Sequence, residues 1–299
     1  MTTAVFPAAS RKARASRYWA CLRPWDILVL QGSPLLGAAV AWPHPTAELV
    51  APLAILMVAN LCLVAHIFVL NDWCNLTADL TDPLKAPEVF IARGVGYRQM
   101  GALAGGLLLV SLLLFSRLGP GPLYIAMGIA GLSVLYSLPP FDWKGHPLLN
   151  SAAHLAGGVL HFLLGYSLGN ALDGRGVTIA TFFAVTFAAG HLTQELQDHH
   201  GDVQNGIRTN AVTFGQRHTF AASVALFTLS HALLLFLAVQ GMLPRALAAL
   251  VVLYPLHLRW SRHALAEGLT SQSIGRLRSR YRVLYAVIGL AMLAVLWLE

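Results

Sequence analysis

Two short stretches, NDWCNLTAD (Asn71 to Asp79) and QELQDHHGD (Gln194 to Asp202), gather the acidic chemistry of the chain. Of only 13 acidic residues, six (Asp72, Asp79, Asp82, Glu195, Asp198 and Asp202) fall in or beside them. Residues three, four and seven apart share a helix face. Asn71, Asn75 and Asp79 step by four, with Asp72 three before Asn75. His191, Glu195, Asp198 and Asp202 step by four, three and four, and Gln194 precedes Asp198 by four. Each stretch therefore presents an acidic face. Crowded carboxylates raise one another's pKa unless a cation intervenes. Mg²⁺ suits that role, because it takes oxygen ligands and is typically held through one or two carboxylates together with substrate phosphates. Two such faces opposed would hold Mg²⁺ bridged by a diphosphate.

The elements that carry these faces are membrane spans. The 299 residues are 57% hydrophobic and 11% charged, with mean hydropathy +0.63, whereas soluble domains carry about 25% charge. About 20 apolar residues bridge a bilayer core, and nine stretches qualify, near 25–42, 49–72, 99–117, 120–138, 150–170, 177–198, 219–240, 244–260 and 281–298. WPHP at 42–45, GPGP at 119–122, SLPP at 137–140 and Pro244 punctuate them. With nine spans, 17 of the 20 Lys and Arg fall on one side, and only Arg117, Arg175 and Arg245 on the other. The positive-inside bias makes the first side cytoplasmic, and both acidic faces lie there. A cleaved signal peptide is the competing reading of the first span; its removal would leave eight spans and an outside N-terminus. The net charge of +7 is accounted for by the same bias, so no nucleic-acid partner is expected. Cys21, Cys62 and Cys74 lack metal or disulfide spacing and read as small apolar fillers.

These residues resemble the UbiA superfamily of intramembrane prenyltransferases. Its first motif, Asn-Asp-x-x-Asp-x-x-x-Asp, is matched by Asn71, Asp72, Asn75 and Asp79, with Asn75 where Asp is usual. Its second is matched by Asp198, Asp202, Gly206 and Thr209. LRPWD at 22–26, YSLPPFDWK at 136–144 and TNAVTFGQR at 209–217 are also similar, although DPLKAPEVFIARG replaces the Arg-Pro that follows the first motif in many relatives.

The resemblance implies an all-α integral membrane protein, a bundle of nine helices around a central cavity (25–299) after a basic cytoplasmic tail (1–24), in the inner or plasma membrane. It implies Mg²⁺-dependent transfer of a prenyl group from an allylic diphosphate to a lipophilic acceptor, often an aromatic ring. Asp72, Asn75, Asp79, Asp198 and Asp202 would hold the metal, the four Asp being the catalytic set. Asn71, Asn75 and Gln194 would orient phosphate or water, and Arg23, Lys85, Arg93, Lys144 and Arg208 supply cations for diphosphate. Tyr136, with Trp73, Trp143, Phe162 and Tyr166, could steady an allylic cation. His154, His161 and His191 fall inside spans, as interior polar groups or proton acceptors; His199 and His200 sit inside the second motif. Two rival functions fit the same clusters: a terpene cyclase acting without acceptor, and a cation-coupled transporter, although transporter sites lie near the midplane. No Gly-rich phosphate loop or Ser/His/Asp arrangement points to a nucleotide enzyme or hydrolase.

Overall fold

The computed structural model describes residues 11–44, 46–82 and 85–298, with side chains from residue 16. The first ten residues of the basic tail, Pro45 of the WPHP breaker, Pro83 and Leu84 after the first motif, and Glu299 lie outside the described residues. The described chain is helical: α1 Arg11–Cys21, α2 Pro24–Val29, α3 Gly32–Ala41, α4 Ala47–Cys74, α5 Leu76–Thr81, α6 Tyr97–Phe115, α7 Pro120–Ser137, α8 Leu149–Tyr166, α9 Gly174–Gln204, α10 Asn210–Phe214, α11 Gln216–Val239, α12 Tyr254–Ala266 and α13 Ser271–Leu298. Short 3-10 segments occupy Ala86–Glu88, Trp143–Gly145 and Arg245–Leu253.

Helices fall on all nine expected stretches, but five (α4, α6, α9, α11 and α13) are long and apolar enough to cross a membrane. The other four stretches differ for local reasons. The first is broken between Val29 and Gly32 into α2 and α3. The eighth begins as a nine-residue 3-10 segment, tighter than α-helix and longer than such runs usually are. In the fourth and fifth, α7 and α8 have 18 residues each, long enough, but prolines, glycines and tyrosines in α7 and Asn150, His154 and His161 in α8 dilute their apolar character.

Local signals explain where the helices begin. Asp173 caps α9, its Oδ1 accepting from Gly176 N at 2.7 Å and from the Tyr166 hydroxyl at 3.1 Å. Gly119, at φ +109, turns the chain into Pro120, whose missing N–H is not needed in a first turn.

The helices pack around α9, which contacts α8, α10, α11 and α13, while α4 pairs with α6 and α3 with α8. The main core draws on α3, α4, α7, α8, α9, α11 and α13. Small residues set the closest crossings. A Cβ at Gly165 would fall 1.7 Å from the Pro34 carbonyl oxygen, and one at Gly37 2.1 Å from that of Phe162, so α3 and α8 meet backbone to backbone. Such contact through small residues is how helices associate where lipid removes the hydrophobic drive between them. Replacing Gly165 by Ala should destabilise the fold by about 1–3 kcal/mol through overpacking. Gly106→Ala, with open space around it, should be neutral or stabilising; thermal unfolding in detergent separates the two.

Candidate active site

The two motif helices end side by side. α4 delivers Asn71 and Asp72 on its last turn, and the chain re-forms at once as α5, which carries Asp79. The Thr81 hydroxyl donates to the side-chain oxygen of Asn205 just past α9, and Asp82 lies so close to Gly201 that a Cβ there would come within 2.5 Å of its carboxyl oxygen. These contacts join the end of the first motif to the second.

Beneath that junction is a cavity of about 1020 Å³. Of the residues expected at the site, Arg23, Asn71, Asp72, Asp79, Lys85, Tyr136, Lys144, Gln194, Asp198 and Asp202 line it. Three do not. Asn75 Nδ2 donates to Asn71 Oδ1 at 2.8 Å and to the Asn71 carbonyl at 2.7 Å, so it braces Asn71 from outside the lining. Arg93 donates to the Ala20 carbonyl and pairs loosely with Glu88 at 3.9 Å, which docks α1. Arg208 is exposed and lines a separate surface pocket with His146 and Asn205.

Cations already meet the motif carboxylates. Arg23 Nη2 donates to Asp72 Oδ1 at 2.6 Å, from a left-handed backbone (φ 53, ψ 57) at the α1–α2 junction. A non-glycine residue held there stores about 1–3 kcal/mol of strain, a feature that clusters at functional sites. Lys85 Nζ lies 3.5 Å from Asp198 Oδ1, and Gln194 Nε2 donates to Asp198 Oδ2 at 2.6 Å. Burial pushes the Asp79 carboxyl up, against the opposing pull of Lys144, Lys85 and Arg23. Among the described residues no three carboxylates, imidazoles or thiols converge on one point. An oxygen-rich rim of carboxylates from two helices nonetheless fits Mg²⁺, which needs only one or two from the protein when phosphate oxygens complete its shell.

Below the rim the lining turns aromatic and aliphatic. Phe183, Phe187, Phe227, Tyr281 and Tyr285 line it with Tyr136, whereas Trp73, Trp143, Phe162 and Tyr166 do not. Trp73 instead packs on Tyr97, with ring centroids 5.1 Å apart, and Tyr166 is consumed by the α9 cap. Arg278 and Arg282 also line the cavity, the latter pairing with Asp26 at 2.7 Å. Sequence reading took both only as topology charges; their spacing of four, on the turns just before the last apolar run, was the available signal. Glu195 shares α9 with the second motif but serves a different purpose. It is 3% exposed, and its Oε1 accepts from Asn150 Nδ2 at 2.8 Å and Asn210 Nδ2 at 2.9 Å, while Oε2 accepts from Ala211 N at 3.1 Å.

The family model described as "UbiA prenyltransferase family" matches residues 32–274. The chain belongs to the UbiA prenyltransferase family. A lycopene elongase/hydratase of Haloferax volcanii is 30% identical to it over 231 residues, which cover 76% of this chain and 74% of that one. One of the same description from Haloarcula japonica is 30% identical over 208 residues, covering 66% and 67%. The solved structure of a UbiA homologue from Archaeoglobus fulgidus bound to GPP and Mg²⁺ superposes with a TM-score of 0.69 over 93% of this chain and all of that one, at 16% identity; this likeness is one of fold. As a UbiA prenyltransferase with five apolar helices of spanning length, the protein is an integral membrane enzyme, and the transporter reading falls away.

Glu195→Gln should lower stability by about 1–3 kcal/mol, because a third amide beside Asn150 and Asn210 leaves a buried donor unmet. Lys85→Ala, at a partly exposed ion pair, should shift stability by less than about 1 kcal/mol. Unfolding midpoints of the two variants in one detergent test the contrast.

Proposed function

We propose that this UbiA-family enzyme transfers a prenyl group from an allylic diphosphate to the end of a long, unsaturated hydrocarbon lipid, in a catalytic domain spanning 25–299 with the basic tail 1–24 and both motifs on the cytoplasmic face. The observation that carries this reading is the single cavity with a charged rim and an aromatic, aliphatic floor: diphosphate belongs at one end, and two hydrocarbon chains at the other. The curated relatives, named for lycopene elongation and hydration, favour a linear polyene acceptor over an aromatic ring.

In this mechanism Asp72, Asp79, Asp198 and Asp202 would hold Mg²⁺, and Asn75 acts by fixing Asn71. The metal, when bound, supplies Lewis-acid neutralisation of the departing diphosphate. Lys85 and Lys144 give charge-assisted bonds to phosphate oxygens, with Lys85 leaving Asp198 to do so. Arg278 stands on the same rim. As the C–O bond breaks, Tyr136 and the neighbouring rings steady the allylic cation, each worth up to about 2 kcal/mol when desolvated. The enclosing helices keep water from it until the acceptor double bond attacks.

Asp198→Asn should cut diphosphate release at least about a hundredfold, equivalent to losing about 3 kcal/mol of stabilisation. The test supplies purified enzyme in nanodiscs with Mg²⁺, an allylic diphosphate and lycopene, and follows both diphosphate and lipophilic product by mass spectrometry. Undiminished turnover in the variant would refute the metal assignment. A terpene formed without acceptor would replace transfer by cyclisation.

A further inference from the structure

Beneath the carboxylate rim, α8 and α9 place two histidines face to face. The rings of His154 and His191 stack with centroids 3.5 Å apart and planes within 8°. Tyr136 meets His154 edge-on at 5.3 Å, and Phe187 packs beside it at 5.5 Å. All four residues line the cavity.

Their hydrogen bonds fix the tautomers. His154 Nδ1 lies 2.9 Å from the Asn150 carbonyl oxygen; a carbonyl only accepts, so Nδ1 carries the proton and Nε2 keeps its lone pair. His191 Nε2 lies 2.9 Å from Glu195 Oε1. Glu195 already accepts from Asn150, Asn210 and the Ala211 amide, the pattern of an ionised carboxylate, so His191 donates to it. His154 thus offers the cavity a lone pair, backed by an imidazole polarised toward a buried negative charge. His191 precedes Asp198 by seven residues on α9, about 10 Å deeper at 1.5 Å per residue. In the transfer reading the reacting carbons lie beneath a diphosphate held at the rim, on the side of the cavity where these rings sit.

We infer that His154 is the catalytic base that ends the transfer, with His191 and Glu195 as positioning residues behind it. The inference rests on the transfer reading and supplies its last step. The C–O bond breaks with its electron pair on diphosphate. The acceptor's π pair forms the new C–C bond, leaving positive charge on the adjacent acceptor carbon. A neighbouring C–H bond then breaks, its pair becomes the new double bond, and the proton passes to His154 Nε2. The imidazolium stacks on His191 and is countered by Glu195; its proton leaves with the diphosphate when the site reopens.

His154→Ala and His154→Gln are compared with wild type on lycopene and an allylic diphosphate. Both should lower kcat by about 10²–10³, the scale of general-base loss, with KM for the diphosphate within about twofold. Added imidazole should restore turnover in the alanine variant, and residual product should shift from alkene toward the alcohol formed when water traps the cation. Either variant turning over at the wild-type rate with unchanged product would overturn the inference while leaving transfer intact. So would a loss that imidazole does not relieve and that raises KM for the diphosphate, since that marks a structural role. Diphosphate release by wild type and Asp198→Asn tests the transfer reading by itself.

Discussion

Negative charge gathered at the edge of a membrane must be met by positive charge, and the cavity mouth is organised by that requirement. Asp72 receives Arg23 from the α1–α2 junction, Asp198 receives Lys85 from the loop after α5, and Asp26 receives Arg282 from α13. Each pair ties the rim to a different part of the chain. Without those cations the carboxylates would repel one another and draw protons. The pairs hold the rim together and also lie where a dianionic group would compete for the same cations.

Depth in the cavity follows position along α9. Asp202 and Asp198 end the helix at the rim, Gln194 and Glu195 lie one turn lower, and His191 lower still. One helix therefore sets the order in which a substrate meets carboxylate, amide, imidazole and aromatic ring. α8 supplies the adjoining wall, and its small residues allow this. A Cβ at Gly158 would fall 2.5 Å from the Ala184 backbone, so α8 and α9 approach closely enough for His154 and His191 to stack. The close packing of the bundle and the chemistry of the cavity come from the same helix pair.

What was legible in the sequence was periodic. Spacings of three, four and seven identified both acidic faces, and apolar runs placed helices on every expected stretch. What was not legible depended on how loops fold over a cavity. Lys85 and Lys144 reach it while Arg93 and Arg208 do not, although the charge count assigns the loops of all four to one side, because loop charge carries no direction. Arg278 and Arg282 were hidden by the opposite problem, since an arginine that sets topology and one that lines a cavity look alike in one dimension. The break between α2 and α3 and the 3-10 run before α12 escaped as well, for hydropathy measures length of grease and not continuity of hydrogen bonding.

Asn75 shows what a departure from the family pattern does to the charge of the first motif. Its amide donates to two oxygens of Asn71, at 2.7 and 2.8 Å, and an aspartate could not donate to the backbone carbonyl among them. With an aspartate there, as in the usual motif, the Asn71 amide can turn its Nδ2 toward the carboxylate, so the side-chain contact persists with its direction reversed. The usual motif sets the same asparagine four residues before an aspartate, so restoring it needs a change at position 75 alone and adds one negative charge to the first motif. Position 75 therefore works as a charge dial for the motif: asparagine leaves one anion fewer for the surrounding cations to balance.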